Sequence, residues 1–174
     1  MTQSTLTEIY RPIQSQLQAS ETLLIQELAS RQNFRHSLMA ELARHVSRMP
    51  GKRIRPALAL LGASLARMSS SRKRGSDSRL RGNDKAIGLA TAVEMFHTAT
   101  LLHDDVIDGA SLRRGLTTLN AKWGDTLSVL SGDYLYAKAF CLLSRLDNPP
   151  VLSLMSDTAQ TVCEGEVAQI QHQY

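Results

Sequence analysis

Between Ile13 and Val46 apolar side chains recur at helical spacing: Ile13, Leu17, Leu24 and Leu28, then Leu38, Leu42 and Val46. One buried face of a 3.6-residue repeat has this pattern. It predicts two helices with a break near Arg31 to Asn33, ended by Pro50-Gly51. Pro56 suits the first turn of a following helix that runs through Leu58, Leu61 and Leu65 to about Met68. A further helix covers about Ala86 to Asp108, with Gly109 as its cap. Residues 109–115 read as a polar connection. Helical patterning resumes near Thr118, is continuous from Thr126 to Leu146, and breaks at Asp147-Asn148-Pro149-Pro150. A last helix begins at about Val151, and no segment alternates with period two for long enough to predict a strand. The expectation is an all-α fold, a single domain over residues 1–174 without internal repeats.

Composition agrees. Of the 174 residues 43% are apolar and only 5% aromatic, so the core must come from Ala, Leu, Ile, Val and Met, a helix-favouring mixture. No stretch approaches the roughly 20 apolar residues of a membrane span. Met1 to Tyr10 lacks the apolar core of a secretion signal, and a cytoplasmic location is expected. Cys141 and Cys163 are too few and too far apart for a disulfide framework or a zinc site. Both read as buried, reduced helix residues.

The formal charge of +4 raises the question of nucleic acid, and its distribution argues against it. Ser69 to Lys85 holds six basic residues against two acidic ones, leaving fourteen of each sign elsewhere. The segment is rich in Ser, Gly and Asn and reads as a solvated basic loop over 69–85. It has no interleaved aromatics on which bases could stack, so no nucleic-acid partner is expected.

The strongest chemical feature is Leu101-Leu102-His103-Asp104-Asp105-Val106-Ile107-Asp108. On a helix Asp104 and Asp108 are one turn apart, and Asp105 and Asp108 are also neighbours. Their flanks are apolar, and they lie at a helix C-terminus, where the dipole disfavours negative charge. Two such charges roughly 5 Å apart repel by about 3 kcal/mol at an effective dielectric near 20. A solvated acidic helix end is the plainer reading. The apolar flanks and the basic cluster that follows point instead to a hard cation, and Mg²⁺ suits a few carboxylates plus phosphate oxygens.

That cluster is Arg113-Arg114-Gly115, one short loop away. Carboxylates that hold metal beside guanidiniums that hold phosphate oxygens make a two-sided grip on a diphosphate. A second anion grip is Gly51-Lys52-Arg53-Ile54-Arg55-Pro56, at a helix N-terminus with unpaired N–H groups. It lacks the glycines and Lys-Ser/Thr pair of a Walker A loop. By itself it also fits a merely basic helix start. His97 lies seven residues before Asp104, two turns along the same face; alone it would suit a packed histidine as well as a ligand.

In this order, Gly51–Pro56, Glu94-Met95-Phe96-His97, Leu102–Asp108, Arg113-Arg114-Gly115 and Ser131-Gly132-Asp133-Tyr134-Leu135 resemble the motifs of trans-isoprenyl diphosphate synthases. The nearest likeness is to bacterial octaprenyl diphosphate synthases, which make the side chains of quinones such as ubiquinone. The resemblance covers almost the whole chain except the 69–85 segment. It implies the N-terminal half of an isoprenoid-synthase helical bundle and a magnesium-dependent prenyltransferase. Asp104, Asp105 and Asp108 would be the catalytic, metal-binding first aspartate motif, and Arg113 would contact the allylic diphosphate. Lys52, Arg55, His97 and Arg114 would bind the diphosphate of isopentenyl diphosphate.

A hydrocarbon tail hanging from that diphosphate would run down the helix beneath Asp104. Ala99 and Thr100, one turn below, are small, so a long-chain product is expected, with Phe96 a deeper contact. Tight helix packing is the alternative for Ala99 and Thr100. The family also carries a second aspartate-rich motif and a further lysine. The acids after Asp108 (Asp125, Asp133, Asp147, Asp157, Glu164 and Glu166) form no such pair. The expectation is therefore a chain that does not turn over alone and that pairs with itself or with a full-length relative. A non-catalytic fragment, or a regulatory partner that dimerises with an intact synthase, is the alternative.

Overall fold

The computed structural model describes residues 3–29, 37–49, 51–69 and 76–172. α1 (Gln3–Tyr10) passes through a 3₁₀ turn (Arg11–Ile13) into α2 (Gln14–Ala29). α3 (Ser37–Arg48), α4 (Ile54–Ser69) and the long α5 (Ser76–Ile107) follow. A short hairpin, β1 (Leu112–Arg113) and β2 (Leu116–Thr117), leads to α6 (Leu119–Trp123), α7 (Asp125–Arg145) and α8 (Pro149–Gln171). The expected all-helical architecture is present. The break expected near Arg31 to Asn33 lies outside the described residues.

α5 is the axis. It makes its broadest interface with α7 and further ones with α4 and α2. A helix wrapped by neighbours must be apolar on several sides, and Ala86, Ala90, Ala92, Met95, Ala99 and Leu102 are all buried along it. The main core joins these to Leu24 and Leu28 of α2, Leu42 and Val46 of α3, and Leu135, Leu142 and Leu143 of α7. A second cluster seats Ile13, Ala57 and Leu60 against Ala86 and Ala90. Each fully buried Leu or Ile contributes about 1.5–3 kcal/mol. Small residues let the axes approach: a Cβ on Gly88 would stand 2.6 Å from Leu146, and one on Gly132 would collide with the His103 ring. Polar ties set the rotation. The Ser128 hydroxyl donates to the Leu102 carbonyl at 3.0 Å. Glu27 of α2 accepts from Lys138 at 3.3 Å and Arg145 at 2.6 Å on α7.

Three expectations are corrected. Of the segment expected as a loop over 69–85, the part from Ser76 to Lys85 is helical and belongs to α5; residues 70–75 lie outside the described part. Once a helix is nucleated by a packed segment, each added residue contributes a further hydrogen bond. Here the extension is also tied down, with Gln16 donating to Asn83 at 3.2 Å and Lys85 to the Asp147 carbonyl at 3.3 Å.

Cys141 and Cys163 are on helices and free, but both are exposed. Exposure on α8 is general, since that helix buries none of its residues completely. The polar connection contains a two-stranded hairpin with Leu112 opposite Thr117. Its turn residues Arg114 and Gly115 have φ of +51° and +82°, the positive pair that a type I′ hairpin needs; two-residue strands are too short to show any alternation. No helix among the described residues is long and apolar enough to cross a membrane.

Candidate active site

α5 borders two different environments. In one, the loop before α4, the middle of α5 and the hairpin tip enclose a cleft of about 470 Å³. Lys52, Arg53, Arg55, Glu94, His97 and Arg114 line it. Its floor is built by ordinary means. α4 starts at Ile54, so the loop delivers its side chains at a helix N-terminus. The Tyr10 hydroxyl anchors the loop by donating to the Lys52 carbonyl at 2.7 Å. The hairpin turn carries Arg114 over to Gly51, where a Cβ would meet the Arg114 guanidinium at 3.4 Å.

Arg55 Nη1 lies 3.1 Å from His97 Nε2. A guanidinium can only donate, so Nε2 accepts and the ring proton sits on Nδ1. Burial lowers the His97 pKa to about 4, helped by the charges of Arg55, Arg114, Arg113 and Arg53. The imidazole is therefore neutral at physiological pH. The cleft has the chemistry of an anion site: several cations, a helix start and one neutral histidine.

Beside it, a groove of about 290 Å³ lies between α5, α7 and α8, with Arg55 and His97 at the edge it shares with the cleft. Asp104 stands at its polar end opposite Glu166, above Phe96, Thr100, Tyr136, Met155 and Val162. Phe96 meets Tyr136 and Phe140 edge-on, at 5.1 and 5.0 Å between ring centres. Burial, then nearby Cys163 and acidic charge, pushes the Tyr136 hydroxyl up to about 12. Burial also raises the Asp104 carboxyl, Glu166 adds to this, and Arg113 partly opposes it. Asp108, one turn on, is exposed.

Asp105 is separated from the other two aspartates of the motif. Asp105 is turned about 100° from Asp104, and its side chain is only 1% exposed. It accepts from Arg113 Nε at 2.6 Å, folding the hairpin back onto α5. Its main-chain carbonyl accepts from Asn120 Nδ2 at 3.1 Å. The second carboxylate oxygen is buried without a protein partner. It borders a small cavity of about 20 Å³ beside His45 and Thr118, room for one water. Among the described residues no three His, Cys, Asp or Glu side chains gather as a metal cluster.

Lys52, Arg55, His97 and Arg114 thus line the cleft, Asp104, Phe96 and Thr100 line the groove, and Arg55 and His97 border both. Ala99 lines neither; it is wholly buried in the core. The sequence reading missed Glu166 and Tyr136, which reach the groove from other helices. Glu166 was counted only among the acids that form no second pair, and Tyr136 directly follows the Ser131–Leu135 motif. The partnership of Arg53 with Glu21 and Glu94, at 2.8 and 2.7 Å, was also missed, since no spacing rule joins residues that far apart.

The helical bundle is the fold of isoprenoid synthases, which are its structural neighbours. The chain belongs to the polyprenyl synthetase family, whose model matches residues 36–174. It is 40% identical over 133 residues to the octaprenyl diphosphate synthase of Haemophilus influenzae, covering 76% of this chain and 36% of that protein. It is 36% identical over 136 residues to the heptaprenyl diphosphate synthase component 2 of Geobacillus stearothermophilus, covering 78% and 38%. A polyprenyl synthase of Caulobacter crescentus, solved with calcium and isoprenyl diphosphate, superposes with a TM-score of 0.80 at 33% identity, over 95% of this chain and 45% of that one. The chain spans between a third and a half of the length of these relatives.

Proposed function

We propose that this chain provides the two diphosphate sites of a trans-polyprenyl diphosphate synthase, which condenses isopentenyl diphosphate with an allylic diphosphate into a long-chain product. The carrying observation is a cationic cleft lined by Lys52, Arg55, His97 and Arg114 that adjoins the Asp104-headed groove, with Arg55 and His97 bordering both. Isopentenyl diphosphate would lie in the first, its oxygens taken by Lys52, Arg55 and Arg114. Neutral His97 adds no charge of its own and offers Nδ1–H as a donor. The allylic substrate would place its tail along Phe96 and Thr100, with its diphosphate between Asp104 and Arg113.

In the reaction the allylic C–O bond breaks and diphosphate leaves. The alkene of isopentenyl diphosphate then forms the new C–C bond, and a proton is lost. The chain's own part is charge placement and alignment. Asp105 serves this by holding Arg113 in one orientation. Asp104 and Asp108, with hard oxygens one turn apart, fit Mg²⁺ together with phosphate oxygens; the burial and acidic crowding at Asp104 are what a cation there would offset. Asp105, engaged by Arg113, would act behind them. Bound magnesium would supply charge neutralisation of the leaving diphosphate.

Calorimetric titration tests the assignment. Isopentenyl diphosphate binding should be lost in Lys52→Ala/Arg114→Ala, and farnesyl diphosphate binding with Mg²⁺ in Asp104→Ala/Asp108→Ala, each pair sparing the other ligand. Equal binding by all three proteins would sink the reading. A second reading is favoured by the similarity to a protein named as one component of a synthase: the chain associates with itself or with an intact synthase and tunes its product. Labelled isopentenyl diphosphate separates the two. Product from the chain alone supports the enzyme; altered product length only in mixtures with an intact octaprenyl synthase supports the partner.

A further inference from the structure

Arg53 stands among the cations of the cleft but is bound differently from its neighbours. Its φ is +51°, a left-handed conformation that costs a non-glycine residue about 1–2 kcal/mol and persists only where the surroundings impose it. What imposes it is a two-sided grip. Nε donates to Glu21 Oε1 of α2 at 2.8 Å, and Nη1 donates to Glu94 Oε1 of α5 at 2.7 Å. With two carboxylates on one guanidinium, the Arg53 charge is already committed.

Glu94 itself lines the cleft, one turn before His97, and without a cation it would repel an anion bound there. The Arg53 guanidinium also passes 3.3 Å from the position a Cβ would take on Gly51, where Arg114 comes within 3.4 Å from the other direction. The loop that carries Lys52 and Arg55 therefore turns about Arg53.

Resting on the reading of this cleft as a diphosphate site, we infer that Arg53 is its positioning residue. Its fork across Glu21 and Glu94 holds the left-handed turn that sets Lys52 and Arg55 around His97 and cancels the Glu94 charge. The fork matters more than the charge. Nε and Nη1 reach carboxylates on two different helices, which one ammonium on a flexible stem does not reproduce.

The test is binding of inorganic pyrophosphate, without metal, to the 174-residue chain, measured by calorimetry below the melting temperature of each variant. Arg53→Lys keeps the charge and loses the fork, Glu94→Gln loses the inner carboxylate, and Arg55→Ala probes the site itself. The inference expects Arg55→Ala to abolish binding, Arg53→Lys to weaken it about tenfold or more, and Glu94→Gln to weaken it about threefold or more through loss of the turn. Wild-type affinity in folded Arg53→Lys, with binding lost in Arg55→Ala, overturns the inference and leaves the site reading intact. Unchanged binding in Arg55→Ala overturns both. Should Arg53→Lys not fold, Glu21→Ala at the exposed end of the grip decides instead. A severalfold loss of affinity supports the inference, and wild-type affinity overturns it.

Discussion

Lowering the pH from about 7.5 to about 5 should protonate His97 in the unfolded chain and leave it neutral in the native one. The native imidazole titrates at about 4, against an ordinary value of 6.5. A depressed native pKa means that the unfolded state binds more protons between the two values, so stability is full above 6.5 and falls as the pH drops toward 4. Integrated down to pH 5, the linkage amounts to about 2 kcal/mol without screening. The ring is partly exposed and the arginines that repel its proton face solvent, so about 1 kcal/mol is the expected loss.

His97→Gln keeps an acceptor for Arg55 and removes the titration. Urea denaturation of both proteins at the two pH values isolates the term, because the other four histidines contribute equally to each. The wild type should lose about 1 kcal/mol more than the variant over this interval, and the His97 ring signals in NMR should shift only near pH 4. Equal losses in the two proteins, or a ring that titrates near 6.5, would refute the argument. A bound diphosphate should reverse the local repulsion, so that at pH 5 the wild type takes up a proton on binding and the variant does not.

Other perturbations bear on separate links of the argument. Asp105→Asn leaves Arg113 without its buried carboxylate and should cost about 2–4 kcal/mol in denaturant unfolding; a loss under about 0.5 kcal/mol would mean the pair is incidental. Leu102→Ala, at a fully buried position between α5 and α7, should cost about 2–5 kcal/mol, with the helical circular dichroism at room temperature retained. Asp104→Asn should weaken magnesium-dependent pyrophosphate binding at least tenfold while metal-free binding at Lys52 and Arg55 stays as it was; parallel loss of both would mean that the cleft and the groove are not independent.

Period and punctuation made the helices readable. Leu24, Leu28, Leu42 and Val46 fall where a helix face puts them, and Pro149-Pro150 marks the start of α8. Local polarity misled at Ser76 to Lys85, where cooperativity with the packed remainder of α5 outweighs Ser, Gly and Asn. Burial of the cysteines was misjudged because it depends on which face of α7 and α8 a neighbour covers, and spacing alone does not say. At the site, the residue types were visible but their division was not. Asp104 and Asp105 are adjacent in sequence and face a groove and a buried arginine respectively, an outcome set by where the hairpin folds. Arg53 looked like one more cation of the Gly51–Arg55 run. Its partners Glu21 and Glu94 are brought to it only by the packing of α2 against α5.

α8 carries one whole wall of the groove, yet none of its residues is fully buried, and it holds to the core through a few half-covered side chains such as Val151, Leu152, Met155 and Ala159. A 23-residue helix with so little to rest on has a local opening free energy well below that of α5, and its amides should exchange with solvent by sub-global opening rather than by global unfolding. The room beneath Asp104 is then an elastic quantity. The groove's volume varies with the position of α8, whereas the cationic cleft is framed by α4, α5 and the hairpin.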